Sequence, residues 1–450
     1  KILRLQLEAR LMNELGSNLR ERLDGLLGRI LPSGLTLEGW RFDLHDVNLL
    51  EVGLKNNRLG GPYTAPSLKT DTEGEVYLIW SGNKYSLARI DRRILEEFET
   101  NLDLWEKTAY LDLHGKGLVQ PYNPPPIPLA QQEAIKVTKG EFDLPFDFLE
   151  KGKKVLAVYD CQKIDGGIRI SYDRGLTANS EGLWVMTEET PVEVYFEGDN
   201  LFSDYFAEKR LPTNDEFDCL LNYMGKTIEK LRIKTSLSDP GELFIIFPPK
   251  VFEAFLEHYL LSNINGQLIA DPQSFFDLED FKEKKKYFRE DFNVKIDGTR
   301  PYRFNSYRCT EEGVSTGKID LIKAGRLITP ILNLKYAHKL GMEPTPIPVG
   351  GGRGLLVSVP DLMDLNEIIK GLDRGLIIHS VLGLHTQDYS SGKFSLKADQ
   401  CLLLEKGEIK GKVEAVIAGD FLTGLNTSEG FFAKFIQEDN PAFCMKAHVF

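Results

Sequence analysis

Cysteine is scarce in this chain. Five occur in 450 residues, at Cys161, Cys219, Cys309, Cys401 and Cys444, with no CxxC pair among them. That spacing excludes a disulfide framework and a zinc ribbon and suits a reducing compartment. Long apolar runs are missing too: the stretches near Ile245 and Ile377 fall well short of the roughly 20 residues that span a bilayer. The opening stretch is charged and amphipathic rather than signal-like, so the expectation is a cytoplasmic protein with no membrane partner. There is no basic excess either. Against 55 Lys and Arg stand 67 Asp and Glu, a net charge of −12, and apart from Lys282–Lys286 the basic residues are scattered. Such a field repels nucleic acid, and no nucleic-acid partner is expected. No GxSxG elbow appears, and no cysteine–histidine nucleophile pair can be inferred from isolated residues.

Material for real cores is plentiful, with 42% hydrophobic residues, 26 Phe and 16 Tyr. The length exceeds what one compact core usually covers, so two domains are expected, 1–234 and 235–450. Leucines recur at helical spacing from Lys1 to Ile30, a stripe fit to cover a sheet or dock on a partner. Strands follow at Leu44–Leu54 and at Val76–Trp80 paired with Tyr85–Ala88, then a helix from Ile90 to Tyr110 with Ile94, Leu95, Phe98, Leu102 and Trp105 on one face. Strands before a long helix signal α+β rather than repeated βαβ units.

Residues 114–128, with Pro121, Pro124, Pro125, Pro126 and Pro128, read as an extended connector. Strands are expected again at Lys154–Cys161 and Gly167–Tyr172, turned at Gly166-Gly167, and at Leu183–Thr187 and Val192–Glu197. Asn214 to Leu231 reads as a helix capped by Thr213 or Asn214 with Asp215 and Glu216 in its first turn. A short strand Leu243–Phe247, Pro248-Pro249 and a helix from Val251 to about Ser262 come next. That helix buries Val251, Phe252, Phe255, Leu256, Tyr259 and Leu260 and leaves Glu253, Glu257 and His258 on or near its other side. The charged run Asp277–Glu290 reads as a solvated loop or helix. Gly350–Gly354 is glycine-rich but precedes a strand, so it lacks the context of a phosphate-binding loop and is expected to be a flexible loop near a substrate channel.

The densest pattern is Gly371–Leu425. Apolar runs Leu376–Leu382, Ala398–Leu404 and Val413–Ile417 alternate with turn signals at Ser390-Ser391-Gly392 and Glu405-Lys406-Gly407-Glu408, the grammar of a β-meander. Its polar loop His385–Gly392 joins two core strands, either as a plain hydrated connection or as a ligand-binding loop on a rigid scaffold.

Several short motifs occur in a fixed order. Leu382-Gly383-Leu384-His385-Thr386, Ser391-Gly392 with Phe394-Ser395, Leu404–Glu408 and Ala418-Gly419-Asp420 follow Glu312-Gly313-Val314, Leu321–Leu327 and Tyr336–Gly341. With weaker echoes at Leu50-Glu51-Val52, Lys55–Leu59 and Asn179–Gly182, this series resembles the TldD/PmbA (TldE) family. The resemblance implies an N-terminal mixed sheet with long helices and a C-terminal β-rich, barrel-like meander. It also implies a peptide cleft toward which the loop lies, with His385, Thr386, Gln387, Asp388, Tyr389, Ser391, Gly392, Phe394 and Ser395 as candidate peptide contacts.

In catalytic TldD-type members the corresponding helix carries HExxxH, two zinc-holding histidines and a glutamate that prepares water, with a cysteine farther on. Here the helix has His258 alone, preceded by Glu257 and followed by Tyr259. Ala254, Glu253, Ser262 and Asn263 occupy the positions where a second ligand would face the same metal. The resemblance is therefore to the PmbA-type branch: no cofactor in this chain, with zinc only in a TldD-type partner. A residual site would have to be assembled from His258, His379, His385 and Cys401. The expected function is the non-metal subunit of a peptidase complex acting on unfolded peptides. The alternatives are a non-enzymatic peptide-binding or assembly protein that pairs with itself, and an active metallopeptidase with an unusual ligand set.

Overall fold

A computed structural model describes residues 2–60, 65–91, 93, 97–347, 354–360, 362–435 and 438–450. Its architecture is α+β, built on two large sheets with a smaller one attached. Most of the expected Gly350–Gly354 loop lies outside the described residues.

The N-terminal sheet is antiparallel. Its strands run in the order Tyr110–Leu111, Lys84–Asp91, Ser67–Trp80, Leu37–Lys55, Ile164–Asn179, Val192–Gly198 and Phe202–Glu208. Strand Leu37–Lys55 is much longer than expected, because its period-two alternation continues through the polar residues. Trp40, Phe42, Leu44, Leu50, Val52 and Leu54 all point to one face and are almost fully buried. Helix Ile2–Asp24 covers one end of that face, packing Met12, Leu19 and Leu23 against Trp40, Phe42 and Leu176. Between the two apolar stretches, Asp46 pairs with Arg174 inside the sheet.

Two expectations fail next. Lys154–Cys161 is no strand, for Asp143–Val158 is a helix. The run Val155–Val158 looks extended in isolation, but Pro145, Leu149, Gly152 and Leu156 form a helical stripe that buries on the sheet. Gly166-Gly167 is no turn either; both lie inside strand Ile164–Asn179, where a Cβ would stand 2.8 Å from the Tyr195 carbonyl or 2.6 Å from the Tyr195 ring. These glycines allow close approach between strands. The proline-rich stretch 114–128 has no helix or strand and is tied to the body through the Val119 carbonyl, which accepts from Asn179, and the Tyr122 hydroxyl, which donates to Gly313.

Helix Asn214–Arg232 starts at a capping box: the Thr213 hydroxyl accepts from the Glu216 amide, and the Glu216 carboxylate accepts from the Thr213 amide. Its residues Phe217, Leu221, Met224, Ile228 and Leu231 fill the space between the first sheet and the C-terminal one, sharing a core with Ile170 and Val194 on one side and Ile246, Ile377, Leu402 and Cys444 on the other.

In the C-terminal region, Gly241–Phe247 pairs in parallel with Arg374–Leu382 and antiparallel with Ala442–Val449. Lys393–Glu405 and Ala415–Asp420 complete the circuit, closing a five-stranded barrel. The expected meander is thus part of this barrel, with Glu408–Lys412 appended. Ile245, Phe247, Leu376, Ile378, Cys401 and Leu403 face its interior core, while their sequence neighbours face helix Asn214–Arg232. A four-stranded sheet built on Asn293–Asp297 and Lys318–Lys323 lies beyond. The charged run before it is less solvated than expected. Helix Leu278–Lys282 and the following turn bury Phe281 and Phe288, and Asp280 holds Lys285 and Tyr287.

Candidate functional site

The helix after Pro248 begins with proline at its first position, where no amide is missed and φ is already helical. It runs as an α-helix over Pro249–Phe255 and widens to a π-helix over Leu256–Leu261. Such widened turns are rare and recur at functional sites. Its apolar stripe, Phe252, Phe255, Leu256, Tyr259 and Leu260, is fully buried in the C-terminal core. Of its polar residues, Glu253 and Glu257 line a cavity, and His258 turns toward the loop after strand Arg374–Leu382.

That loop forms two 3-10 turns, Leu384–Thr386 and Tyr389–Ser391. Its backbone is anchored to the helix at three points. His258 Nε2 donates to the Gln387 carbonyl at 3.1 Å, Asn263 donates to the Tyr389 carbonyl at 2.8 Å, and the Tyr259 hydroxyl donates to the Lys393 carbonyl at 3.0 Å. Asp388 caps the second turn by accepting from the Ser390 amide and hydroxyl, which hold its carboxyl below the usual range. Gln387 Oε1 accepts from the Ser395 amide. His385, Thr386, Asp388 and Ser395 are exposed, Gln387, Tyr389 and Ser391 half-buried. Phe394 packs in the core against Phe247 and Phe255. Gly392 takes a positive φ of 70°, and a Cβ there would stand 2.9 Å from Leu422.

The four candidate metal ligands fall in three places. His258 and His385 are neighbours, and burial, followed by the charge of His385, depresses the His258 pKa. His379 points out of the barrel wall, with Nδ1 3.2 Å from the Tyr223 hydroxyl and its ring against Phe202. Burial lowers its pKa to about 4, so it is neutral. Cys401 pairs with Ile378, the residue before His379, and so points the opposite way, into the barrel core. Burial pushes its pKa up to about 12, which keeps it a thiol. Among the described residues no three His, Cys, Asp or Glu side chains converge as a ligand set.

The cavity was not foreseen. It measures about 980 Å³ and lies between strand Phe202–Glu208, the exposed side of helix Asn214–Arg232, the first turns of the Pro249 helix and the segments around Arg303 and Glu438. Lys250 holds its ammonium 4.0 Å from the centre of the Tyr205 ring, donates to the Tyr205 carbonyl at 2.7 Å and to Asp204, and lies 3.9 Å from Glu438. Burial alone would lower the Lys250 pKa, but these acids outweigh it and raise it. Beside them, burial and then repulsion from Glu438 and Glu257 lift Glu253 to about 7, although Asn440 donates to it at 2.6 Å. The signal available in sequence was the acidic pair Glu253 and Glu257 at i, i+4 on one helical face. Its partners Asp204, Tyr205 and Glu438 come from distant segments that no local pattern joins.

Residues 240–438 match the family profile described as the PmbA/TldA metallopeptidase C-terminal domain. That stretch, rather less than half of the chain, resembles the C-terminal domain of the TldD/PmbA family. TldE from Thermococcus kodakarensis shares the fold at a TM-score of 0.79 and 18% identity, over 97% of this chain and 99% of that one. The metalloprotease PmbA homolog of Buchnera aphidicola is 29% identical over 177 residues, 39% of this chain. The chain spans about two fifths of that relative's length, 38%. A metalloprotease of Methanothermobacter thermautotrophicus is 22% identical over 337 residues, 68% of this chain and 71% of its own length.

The zinc that the matched metallopeptidase domain's description implies does not fit the donors of this chain. One turn before His258 stands Ala254 and one turn after it Ser262, neither of them a zinc ligand. His258 itself spends Nε2 as a donor to a carbonyl. Its other ring nitrogen, Nδ1, keeps a lone pair, but among the described residues no set of three ligands forms around it. His379 and Cys401 are fixed on opposite faces of a barrel wall and cannot complete the set.

Proposed function

We propose that this chain is the non-metal subunit of a TldD/PmbA-type peptidase complex, pairing with a zinc-bearing TldD-type chain and helping to enclose unfolded peptide. The observation that carries the reading is the helix Pro249–Leu261. It keeps the buried stripe and the polar face, yet its one histidine is tied to the Gln387 carbonyl and has no ligand one turn away. In this reading the loop His385–Ser395 borders the peptide path. Its backbone is held rigid by the helix, while His385, Thr386, Asp388 and Ser395 offer donors and acceptors to solvent. Five free cysteines are in keeping with assembly in the cytoplasm, and no helix among the described residues is long and apolar enough to cross a membrane.

The test is reconstitution. Co-expressed with a TldD-type chain, this protein should co-purify with it, and cleavage of an unfolded peptide should need both. Full peptidase activity of this chain alone would refute the reading. Peptide binding by a homodimer that neither cleaves nor recruits a TldD-type chain would favour a binding or assembly protein.

A further inference from the structure

Ten acidic and five basic residues line the cavity, and five of these acids have a basic side chain beside them. Glu208 pairs with Arg303, Asp439 with Arg300 and Arg303, Asp297 with Lys318, Glu216 with Arg210, and Glu193 lies 3.8 Å from Arg169. The uncompensated charge sits at one end. There Lys250 is a single cation among Asp204, Glu438, Glu253 and Glu257, and among the described residues no basic group lies within ion-pairing distance of Glu253 or Glu257.

Lys250 also shows what this wall accepts. One ammonium is satisfied there by a ring face, a backbone carbonyl and carboxylates, which is how proteins hold amines and guanidinium groups. Two further features point to a guest. Ser306, only 1% exposed, stands in the cavity lining, and its hydroxyl is bonded to no protein atom. Tyr195 and Tyr205 present half-exposed rings, at 51% and 50%, that can cover an aliphatic stem.

We propose that this end of the cavity binds the cationic side chain of an extended peptide, a lysine or arginine, with Glu253 and Glu257 as its counter-charges and Tyr205 as its aromatic wall. The proposal rests on the peptide reading above and names the class of side chain selected. No covalent step is involved. The guest supplies the positive charge that Glu253 and Glu257 lack, and entry desolvates it only partly because the cavity opens to water.

The experiment uses the full chain and three labelled Gly/Ser decapeptides that differ at one central residue, lysine, norleucine or glutamate, with affinities read by fluorescence anisotropy at low salt and pH 8, where Glu253 is ionised. The lysine peptide should bind about tenfold more tightly than the norleucine peptide, the worth of one charge-assisted contact. The glutamate peptide should bind most weakly. In the double variant Glu253→Gln, Glu257→Gln the lysine-to-norleucine ratio should fall to about one, with circular dichroism confirming that the variant is folded. Equal affinities of the lysine and norleucine peptides would overturn this proposal alone and leave peptide binding standing, as would a lysine preference that survives in the double variant. Binding of no peptide would overturn it together with the peptide reading. Binding of spermidine but no peptide would assign the cavity to free amines and overturn it as well.

Discussion

His258 Nε2 donates to the carbonyl of Gln387 across 3.1 Å, a bond that joins the π-helix to a loop 129 positions away in sequence. Through this Nε2–H the ring braces the loop against the helix. His258→Ala should therefore act on structure alone. Stability should fall by about 1 kcal/mol, the usual worth of such a bond. Hydrogen exchange at residues 385–391 should speed up while metal content stays as in the wild type. A loss of bound zinc in this variant would contradict the brace assignment.

The Asp46–Arg174 pair inside the N-terminal sheet is the next test. Both side chains are nearly inaccessible, at 6% and 4%. Arg174→Met leaves a buried carboxylate without its partner, and a cost of about 3–5 kcal/mol is expected. Adding Asp46→Leu removes that carboxylate, so the double variant should regain most of the loss in chemical denaturation. Additive losses would show that the pair is not coupled.

Acidity should tune stability through Glu253. Burial and the neighbouring acids raise its folded pKa from 4.5 to about 7, so the folded state holds a proton that the unfolded state releases. Its contribution is fully present below pH 4.5 and is lost as pH rises through about 7. Asp173, raised to about 6 mainly by burial, acts in the same direction. The informative quantity is thus the difference between wild type and Glu253→Gln. The variant should gain melting temperature relative to wild type between pH 5 and pH 8, and an unchanged difference across that range would remove the premise.

At the helix between the two sheets, Thr213→Ala deletes the hydroxyl that caps the Glu216 amide. A loss of about 1 kcal/mol is expected. Thr213→Ser should restore it, since serine presents the same oxygen.

How far the sequence reaches can be judged at these residues. The helix cap at Thr213, one of the two residues the pattern offers, the alternation around Leu50 and the turns at Gly392 and Gly407 are local chemistry, and the structure places them where the pattern does. Barrel closure was legible only as a meander, because the pairing of Gly241–Phe247 with Ala442–Val449 joins segments some 200 residues apart. The helix Asp143–Val158 was mistaken for a strand because its short apolar run carries no period of its own. The glycines at 166 and 167 passed for a turn because close approach to Tyr195 leaves no mark in sequence. The helix with His258 was found; the cavity beside it was not, since Tyr205, Lys250, Glu253 and Glu438 meet only after the sheets are packed.

The central claim, that this chain contributes no zinc site of its own, is tested most directly by elemental mass spectrometry of the purified protein after dialysis against trace zinc without chelator. The account predicts essentially no zinc in the protein alone. A stoichiometry near one zinc per chain, lost on replacing His258, His385 or Cys401, would contradict it.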